Sequence, residues 1–416
     1  MFSILHPLLA ELARLPGKPV KLQVSNSAMA SLHRGYPWLY AERVKAESHR
    51  GQPGDLGVVY DGKGRFVAVG LYDPFSPIRL RVLLASKPGP IDRAFFAERL
   101  AAALARRLPL QGTQTDGYRL VHGESDRFPG LVIDRYGDTA VVKIYTHAWV
   151  PYLHDCLASL LELQPLDRLV LRLSRGLREH PDSLHGLRDG QILYGEPIRG
   201  VLTCRENGLL FEVDPIHGQK TGFFLDQRDN RARVEQLARG KRVLNAFSYN
   251  GGFSLAAARG GAVEVTSLDQ SGQALESSKR NFALNAQVPA IAAARHLTIE
   301  GDAFRAMAEL VKQGQKYDLV IIDPPAFAVR RSQVREALYA YGRLAHLGVS
   351  LLVAGGDIVL ASCSNPVSPE DFRAAVCAAA ARAGRPLQRI RETGHALDHP
   401  LDFAESRYLK CLFARA

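Results

Sequence analysis

The chain has 416 residues, 46% of them hydrophobic and 23% charged, with a formal net charge of +11. Such a length and balance belong to a soluble globular protein of two or three domains with a sizeable core. The positive excess favours polyanionic partners, against the plain alternative of an Arg-rich solvated surface. The N-terminus lacks the basic region of a signal peptide, and the longest apolar stretch, residues 347–363, is broken by Gly355, Gly356 and Asp357, so no membrane partner is expected. Five cysteines, at 156, 204, 363, 377 and 411, show no C-x-x-C or Cys/His metal spacing. That pattern, with an odd count and mostly apolar neighbours, favours reduced thiols in the cytoplasm over a disulfide framework, and no metal centre is expected.

Taken in order, residues 1–86 predict a small β-rich unit. Short runs at 20–24, 44–46, 56–60, 66–72 and 78–84 are separated by the turns Gly62-Lys63-Gly64 and Asp73-Pro74-Phe75, a spacing that favours a compact barrel. Within it, His33-Arg34-Gly35-Tyr36-Pro37-Trp38-Leu39-Tyr40 interleaves bases with aromatics. Arg34 suits a phosphate and Trp38 a stacked base, although Trp38 and Tyr40 would serve equally well as barrel core. Residues 87–195 predict a middle α/β unit, with helices over 94–108 and 149–163 and strands at 118–121, 141–144 and 168–173. The cluster His122-Gly123-Glu124-Ser125-Asp126-Arg127 reads as turn chemistry rather than catalysis, and residues 186–195 read as a linker.

From 196 to 416 strands and helices alternate, which implies a parallel sheet. An apolar run at 243–244 gives way to small and polar residues and the pair Gly251-Gly252, followed by an alanine-rich helix. In an open α/β sheet the turn after the first strand is where a cofactor sits. A second strand over 263–268 ends in Asp269, about 20 residues on, where such folds place a carboxylate on a ribose. Strands over 296–300 and 317–322 end in Gly301-Asp302 and Asp323-Pro324-Pro325. Three acidic strand ends on one sheet edge favour a nucleoside site over chance helix caps. Ser368-Pro369-Glu370-Asp371 opens a capped helix, and a last strand covers 408–413.

Asp323-Pro324-Pro325-Ala326-Phe327 ends one strand and Ser362-Cys363-Ser364-Asn365-Pro366 the next, so an aspartate and a thiol should share one crevice. A cysteine in an exposed turn before a capped helix, with arginines such as Arg330, Arg331 and Arg335 expected near it, can be a thiolate nucleophile. A buried inert cysteine is the ordinary alternative. A thiolate and a carboxylate suit methylation at carbon 5 of a pyrimidine, which becomes nucleophilic only after addition at carbon 6.

Gln219-Lys220-Thr221-Gly222-Phe223-Phe224-Leu225-Asp226-Gln227-Arg228-Asp229-Asn230-Arg231, the turn 245–252, Asp323 to Phe327, Ser362 to Ser364 and Asp398-His399-Pro400 resemble the RlmI-type 23S ribosomal RNA cytosine-C5 methyltransferases. Residues 34–40 and 119–134 extend the resemblance over nearly the whole chain. It implies an N-terminal PUA-like RNA-binding barrel, a middle α/β domain and a C-terminal Rossmann-like class I methyltransferase sheet using S-adenosyl-L-methionine. It further implies that Gln227, Asn245, Ala246, Phe247, Ser248, Tyr249, Gly251, Gly252, Asp269, Gln270, Asp302, Ala303, Asp323 and Pro324 hold the cofactor. Asp323 would face cytosine, Cys363 would be the nucleophile, and Arg34, Trp38, Arg330 and Arg331 would meet ribosomal RNA; a homodimer is the other partnership considered. Ala326 stands where two-cysteine RNA cytosine methyltransferases carry a second Cys, and close relatives often have Lys, so product release needs another group, with His399 or water as candidates. Methylation of a guanine or adenine amine, with Cys363 a bystander, and a non-catalytic RNA-binding assembly factor are the competing readings.

Overall fold

The computed structural model describes residues 5–13, 15, 17–218 and 220–416; Gln219 of the polar segment above lies outside them. By its contacts the chain divides into two units, Met1–Arg205 with Val213–Phe223, and Glu206–Glu212 with Phe224–Ala416.

The first unit holds two sheets. Strands β1 (Val20–Val24), β2 (Trp38–Tyr40), β3 (Val44–Glu47), β4 (Leu56–Tyr60), β5 (Phe66–Tyr72) and β6 (Ile78–Ala85) form a six-stranded sheet in the order β2-β6-β5-β4-β1-β3. In β1 the period-2 alternation turns Val20, Leu22 and Val24 into a core with Leu39, Val59, Ala68, Tyr72 and Leu80. Gly57 of β4 faces that core, and a Cβ there would stand 2.5 Å from Leu80 Cδ1. Two elements lacked a sequence signal. The helix Asn26–His33, capped by Ser25, buries only Ala28 and Leu32, too few apolar residues to mark a helical face. Strand β2 is three residues long, and it draws Trp38 into the sheet opposite Arg81.

Strands β7 (Gly117–His122), β8 (Leu131–Tyr136), β9 (Thr139–Ile144), β10 (Arg168–Leu173) and β11 (Ile192–Tyr194) form the second sheet in the order β11-β10-β9-β8-β7. Its core includes Phe96 of the helix Arg93–Ala105, and Phe128 stacked on Trp149 with centroids 6.0 Å apart. The stretch 186–195, expected as a linker, contains β11, which pairs antiparallel with β10 and buries Leu193. Three apolar residues between glycines are too few to show a strand period. The helix expected over 149–163 begins as a 3-10 segment, His147–Tyr152, and becomes α-helical only at Leu153–Leu163, because Pro151 cannot donate a backbone hydrogen bond. Residues 122–127 are indeed a turn: Asp126 is buried and accepts two bonds from Arg107, at 2.9 and 2.6 Å.

The division between the units falls within β12 (Leu202–Glu206) and β13 (Leu209–Val213), which form a two-stranded sheet. The second unit is built on β14 (Arg242–Ala246), β15 (Glu264–Asp269), β16 (Arg295–Glu300), β17 (Tyr317–Ile322), β18 (Leu352–Ser362), β19 (Gln388–Thr393) and β20 (Lys410–Arg415), in the order β16-β15-β14-β17-β18-β20-β19. The first five strands in chain order are parallel, whereas β20 runs antiparallel to both neighbours. The order reverses at β14, which makes the end of that strand the switch point of the sheet.

Two buried ion pairs fix the segment preceding β14. In the helix Arg228–Leu237, the Arg228 guanidinium donates to both carboxylate oxygens of Asp398, at 3.2 and 2.7 Å, and Arg231 donates to both of Glu206, at 2.6 and 2.5 Å. His399 Nδ1 lies 3.1 Å from Asp398 as well. Burial alone would raise the pKa of Asp398, but His399 and Arg228 outweigh it and hold the carboxyl well below the usual range. Replacing Asp398 by Asn removes the buried counter-charge of Arg228 and leaves it only the exposed Asp229, at 3.6 Å. Asp398→Asn should therefore cost about 3–5 kcal/mol of stability, read as a lower urea midpoint with an unchanged m-value.

Candidate functional site

The parallel strands end level with one another. Ala246 of β14 pairs in register with Leu268 of β15 and Ile322 of β17, and Ile322 pairs with Leu360 of β18. Asp269, Glu300, Asp323 and Cys363 thus all emerge at the C-terminal edge of the sheet.

After β14 the backbone turns sharply. Phe247 and Tyr249 adopt positive φ values of 59° and 49°, and Gly251 has φ 81° immediately before the helix Gly252–Arg259. Left-handed conformations at two aromatic residues are unfavourable, and they persist where surrounding contacts over-determine them. Here the contacts are visible. Ser248 N donates to Leu268 O at 3.0 Å, and Tyr249 N donates to Asp269 Oδ2 at 2.8 Å. Asp269 Oδ1 accepts from Ser271 N at 2.9 Å, so one half-buried carboxylate ties the first two strand-end turns together. Each of its oxygens retains acceptor capacity.

Beneath this turn runs a buried polar chain. Asn245 Nδ2 donates to Ser254 Oγ at 2.8 Å, Ser254 Oγ lies 2.7 Å from Ser267 Oγ, and Ser267 Oγ lies 2.9 Å from His296 Nε2. Burial pushes the pKa of His296 down to about 4, with Lys279 adding to the effect, so the ring is neutral at ordinary pH. Asn245 Oδ1 and Ser248 Oγ are buried without a hydrogen-bond partner. Orphaned buried acceptors beside a glycine turn fit a bound polar ligand.

The remaining sequence candidates take varied positions. Asp302 is exposed and caps the helix Ala303–Lys312, accepting from Arg305 N at 3.0 Å. It is an N-cap that also stands at the third strand end. Ala303 is buried behind it, Gln270 is exposed, and Gln227 is buried with its Oε1 accepting from Asn230 Nδ2 at 2.6 Å. In the first unit Arg34 is exposed, while Trp38 is half-buried and its indole N–H donates to Glu124 Oε1 at 2.9 Å. Arg330 and Arg331 are exposed, at the start of a short 3-10 turn.

At the other side of the switch point, the thiol and the Asp-Pro-Pro turn meet. Cys363 is half-buried, and its Sγ lies 3.9 Å from Pro324 O. Ser364 Oγ accepts the backbone N–H groups of Phe327 at 3.0 Å and Ala328 at 3.1 Å, which fixes the loop after Asp323 against the turn carrying Cys363. Tyr341 Oη, from the helix Val334–Ser350, lies 2.8 Å from the hydroxyls of both Ser362 and Ser364. The two serines flanking the cysteine are its mounting.

Lys410 was not anticipated. It opens β20 opposite Ser362, is 6% exposed, and donates from Nζ to Ser364 O at 2.7 Å and Val367 O at 3.0 Å. Burial pushes its pKa down to about 8, and the nearby charge of Cys363 opposes that shift. A lysine inside the apolar run Tyr408-Leu409-Lys410-Cys411-Leu412-Phe413 was the available signal, since an unpaired cation is rarely buried. His399, considered for product release, is 2% exposed and engaged with Asp398.

Comparison with known proteins gives two family matches: S-adenosylmethionine-dependent methyltransferase over residues 172–409, and PUA-like domain over residues 22–84. The chain is 50% identical over 399 residues to the ribosomal RNA large subunit methyltransferase of Deinococcus radiodurans, covering 95% of this chain and 97% of that one. It is 36% identical over 394 residues to ribosomal RNA large subunit methyltransferase I of Tolumonas auensis, covering 93% and 96%. Among solved structures, a chain from Streptococcus mutans assigned as a SAM-dependent methyltransferase superposes with a TM-score of 0.77 at 22% identity, over 95% of this chain and all (100%) of that one. Another methyltransferase-assigned chain, solved in complex with SAH, gives a TM-score of 0.79 at 24% identity, over 95% and 100%. At these identities the structural likeness concerns the fold.

The glycine turn offers a direct test of where the cofactor binds. A Cβ on Gly251 would stand 2.1 Å from Ser278 Oγ on a residue with φ 81°. Gly251→Ala should weaken S-adenosylmethionine binding by about tenfold or more, or about 1.4 kcal/mol, in isothermal titration of the folded variant.

Proposed function

Because the chain belongs to the S-adenosylmethionine-dependent large-subunit ribosomal RNA methyltransferases, with their PUA-like domain, we propose that the atom it methylates is carbon 5 of a cytosine in 23S ribosomal RNA. The observation that carries this reading is the thiol of Cys363 held against the Asp-Pro-Pro turn, 3.9 Å from the Pro324 carbonyl, with a buried lysine behind it.

In this reading Asn245, Ala246, Phe247, Ser248, Tyr249, Gly251 and Gly252 line the methionine part of the cofactor, and the orphaned oxygens of Asn245 and Ser248 suit its ammonium group. Asp269 accepts the ribose hydroxyls, and Asp302 and Ala303 flank the adenine. Gln227, Gln270 and Pro324 support these walls. The RNA is met by Arg34 and Trp38 on the barrel and by Arg330 and Arg331 beside the reactive edge. The indole N–H of Trp38 is committed to Glu124, so the ring would meet a base by stacking rather than through its N–H. The reaction takes place in the cytoplasm, where the ribosome is.

The chemistry begins with the Cys363 thiolate adding to carbon 6 of the base. The C5=C6 electron pair moves to carbon 5, while the Asp323 carboxylate accepts a hydrogen bond from the exocyclic amine and fixes the ring. Bound S-adenosylmethionine supplies the electrophilic methyl group that carbon 5 takes. A base then removes the carbon 5 proton, the C5=C6 bond re-forms, and the C6–S bond breaks with its electron pair returning to sulfur. Lys410 acts as a positioning residue. Its ammonium holds the carbonyls of Ser364 and Val367 and favours the charged form of the thiol.

Two experiments test this reading. Ribosomal RNA lacking the modification, incubated with the protein and isotopically labelled S-adenosylmethionine, should yield label in 5-methylcytidine by nucleoside mass spectrometry, and Cys363→Ala should abolish it while cofactor affinity changes less than about twofold. Label in a methylated guanosine or adenosine would instead establish base-amine chemistry, and no label on RNA or on subunit intermediates would favour a binding factor. For Lys410 the sign follows from its charge. The ammonium lowers the thiol pKa while it is protonated, which it is below about pH 8. Lys410→Met should therefore move the pH profile of Cys363 alkylation by iodoacetamide to higher pH, whereas Lys410→Arg should restore part of the shift; coincident profiles would remove the electrostatic role.

A further inference from the structure

We propose that the starting ends of the strands, opposite the reactive edge, carry a second anion site that grips the phosphate backbone of the substrate RNA. A cleft of about 260 Å³ opens there between the helix Arg228–Leu237 and the strands β18, β20 and β19. Four of its lining residues are arginines: Arg233 from the helix, Arg389 and Arg391 from β19, and Arg415 from β20. One lining carboxylate, Asp357, is already shared by two cations, with Lys241 Nζ at 2.6 Å and Arg415 Nε at 3.2 Å. Among the described residues no carboxylate pairs with Arg233, Arg389 or Arg391 within ion-pair distance. Several guanidiniums crowded without counter-charges repel one another, and that cost is relieved when an anion enters.

The local backbone supports the same reading. Strand β19 is the edge of its sheet and is almost wholly exposed, yet it carries Gln388-Arg389-Ile390-Arg391, with little apolar surface to bury. Its register with β20 shifts between Gln388 and Arg391, and Arg389 takes φ 50° within that irregularity. Arg389 and Arg391 are two residues apart, the spacing that puts side chains on one face of a strand, and both line the cleft beside the bulge. The planar fork of arginine matches a phosphate bidentately, which lysine does not.

RNA is the occupant to which the charge points. The family acts on large-subunit ribosomal RNA, and the chain carries a net charge of +11. From Asp357 to Cys363 β18 rises about 3.3 Å per residue, which puts the cleft on the order of 20 Å from the thiol. At about 3.4 Å per stacked nucleotide, that is roughly six nucleotides from the target base. A contact there would fix the register of the RNA without reading its sequence.

The inference rests on the chain's acting on ribosomal RNA, not on which atom is methylated. The test is filter binding of unmodified large-subunit ribosomal RNA across a salt series, with wild-type protein, Arg389→Glu/Arg391→Glu, and Arg233→Gln. The double variant should bind at least about tenfold more weakly at moderate salt, with the slope of log affinity against log salt reduced by about two. Arg233→Gln should reduce it by about one, and cofactor affinity and melting temperature should be unchanged in both. Wild-type affinity and slope in the folded variants would overturn the cleft as an RNA site while leaving the methyltransferase reading intact. A wild-type chain that fails to bind the RNA would overturn that reading together with this one.

Discussion

The hydroxyl of Ser364 is the point on which the reactive edge depends. A parallel sheet delivers its strand ends to one edge, but it does not fix the loops that leave them. Ser364 Oγ does so by taking the N–H groups of Phe327 and Ala328, and Tyr341 ties that hydroxyl to the one on Ser362. The aspartate of one strand end and the thiol of the next are therefore held by a common polar knot. That knot is buried, with Ser362, Ser364 and Tyr341 each 0% exposed, so water competes little for its bonds. Lys410 adds to it by donating to the carbonyls of Ser364 and Val367, just after the cysteine. A functional group mounted this way needs no rearrangement before it meets a substrate.

The same logic separates the residues that do chemistry from those that hold the frame. The motif residues Arg228, Arg231, Asp398 and His399 suggest catalysis by their type, yet they form buried pairs, Arg228 with Asp398, His399 beside that same carboxylate, and Arg231 with Glu206. Arg228 and Asp398 are 170 residues apart. That pair joins the chain before the first strand of the large sheet to the chain before the last, and Arg231–Glu206 ties the same helix to β12. Once formed, each is costly to break by removing one partner. The three acidic strand ends divide similarly. Asp269 bonds two turns and faces the glycine bend, Asp302 also caps a helix, and Asp323 stands beside the cysteine turn.

The sequence made the sheet legible because its strands are short apolar runs with turns of distinctive composition at their ends. Strands β1, β4, β5, β10 and β17 lie at the expected residues, since each has an uninterrupted apolar or alternating pattern. What escaped lacked that pattern for a physical reason. Strand β19 has one exposed apolar residue among polar ones because it is an edge strand solvated on both faces. Strand β11 is too short to show a period, and the helix Asn26–His33 buries too little. The meeting of the turns that carry Asp323 and Cys363 was legible from their unusual composition at neighbouring strand ends, whereas Ser364, Tyr341 and Lys410 depend on contacts made only after folding. Lys410 alone left a trace, as a cation in an apolar strand.

That cation bears on the absence of a second cysteine. Position 326 is Ala, so under the proposed mechanism one sulfur must both attack carbon 6 and leave it. A thiol with an ordinary pKa attacks well as thiolate but is mostly protonated near neutral pH, and it leaves slowly because its anion is basic. An adjacent ammonium changes the two steps unequally. Lowering the pKa raises the thiolate fraction in direct proportion below that pKa, while intrinsic nucleophilicity falls only with a Brønsted coefficient of about 0.4–0.5. Attack therefore gains on balance, and departure gains as well because a less basic thiolate is the better leaving group. The same ammonium thus assists both the attack and the departure of the one sulfur, and it does so below about pH 8, where it is protonated.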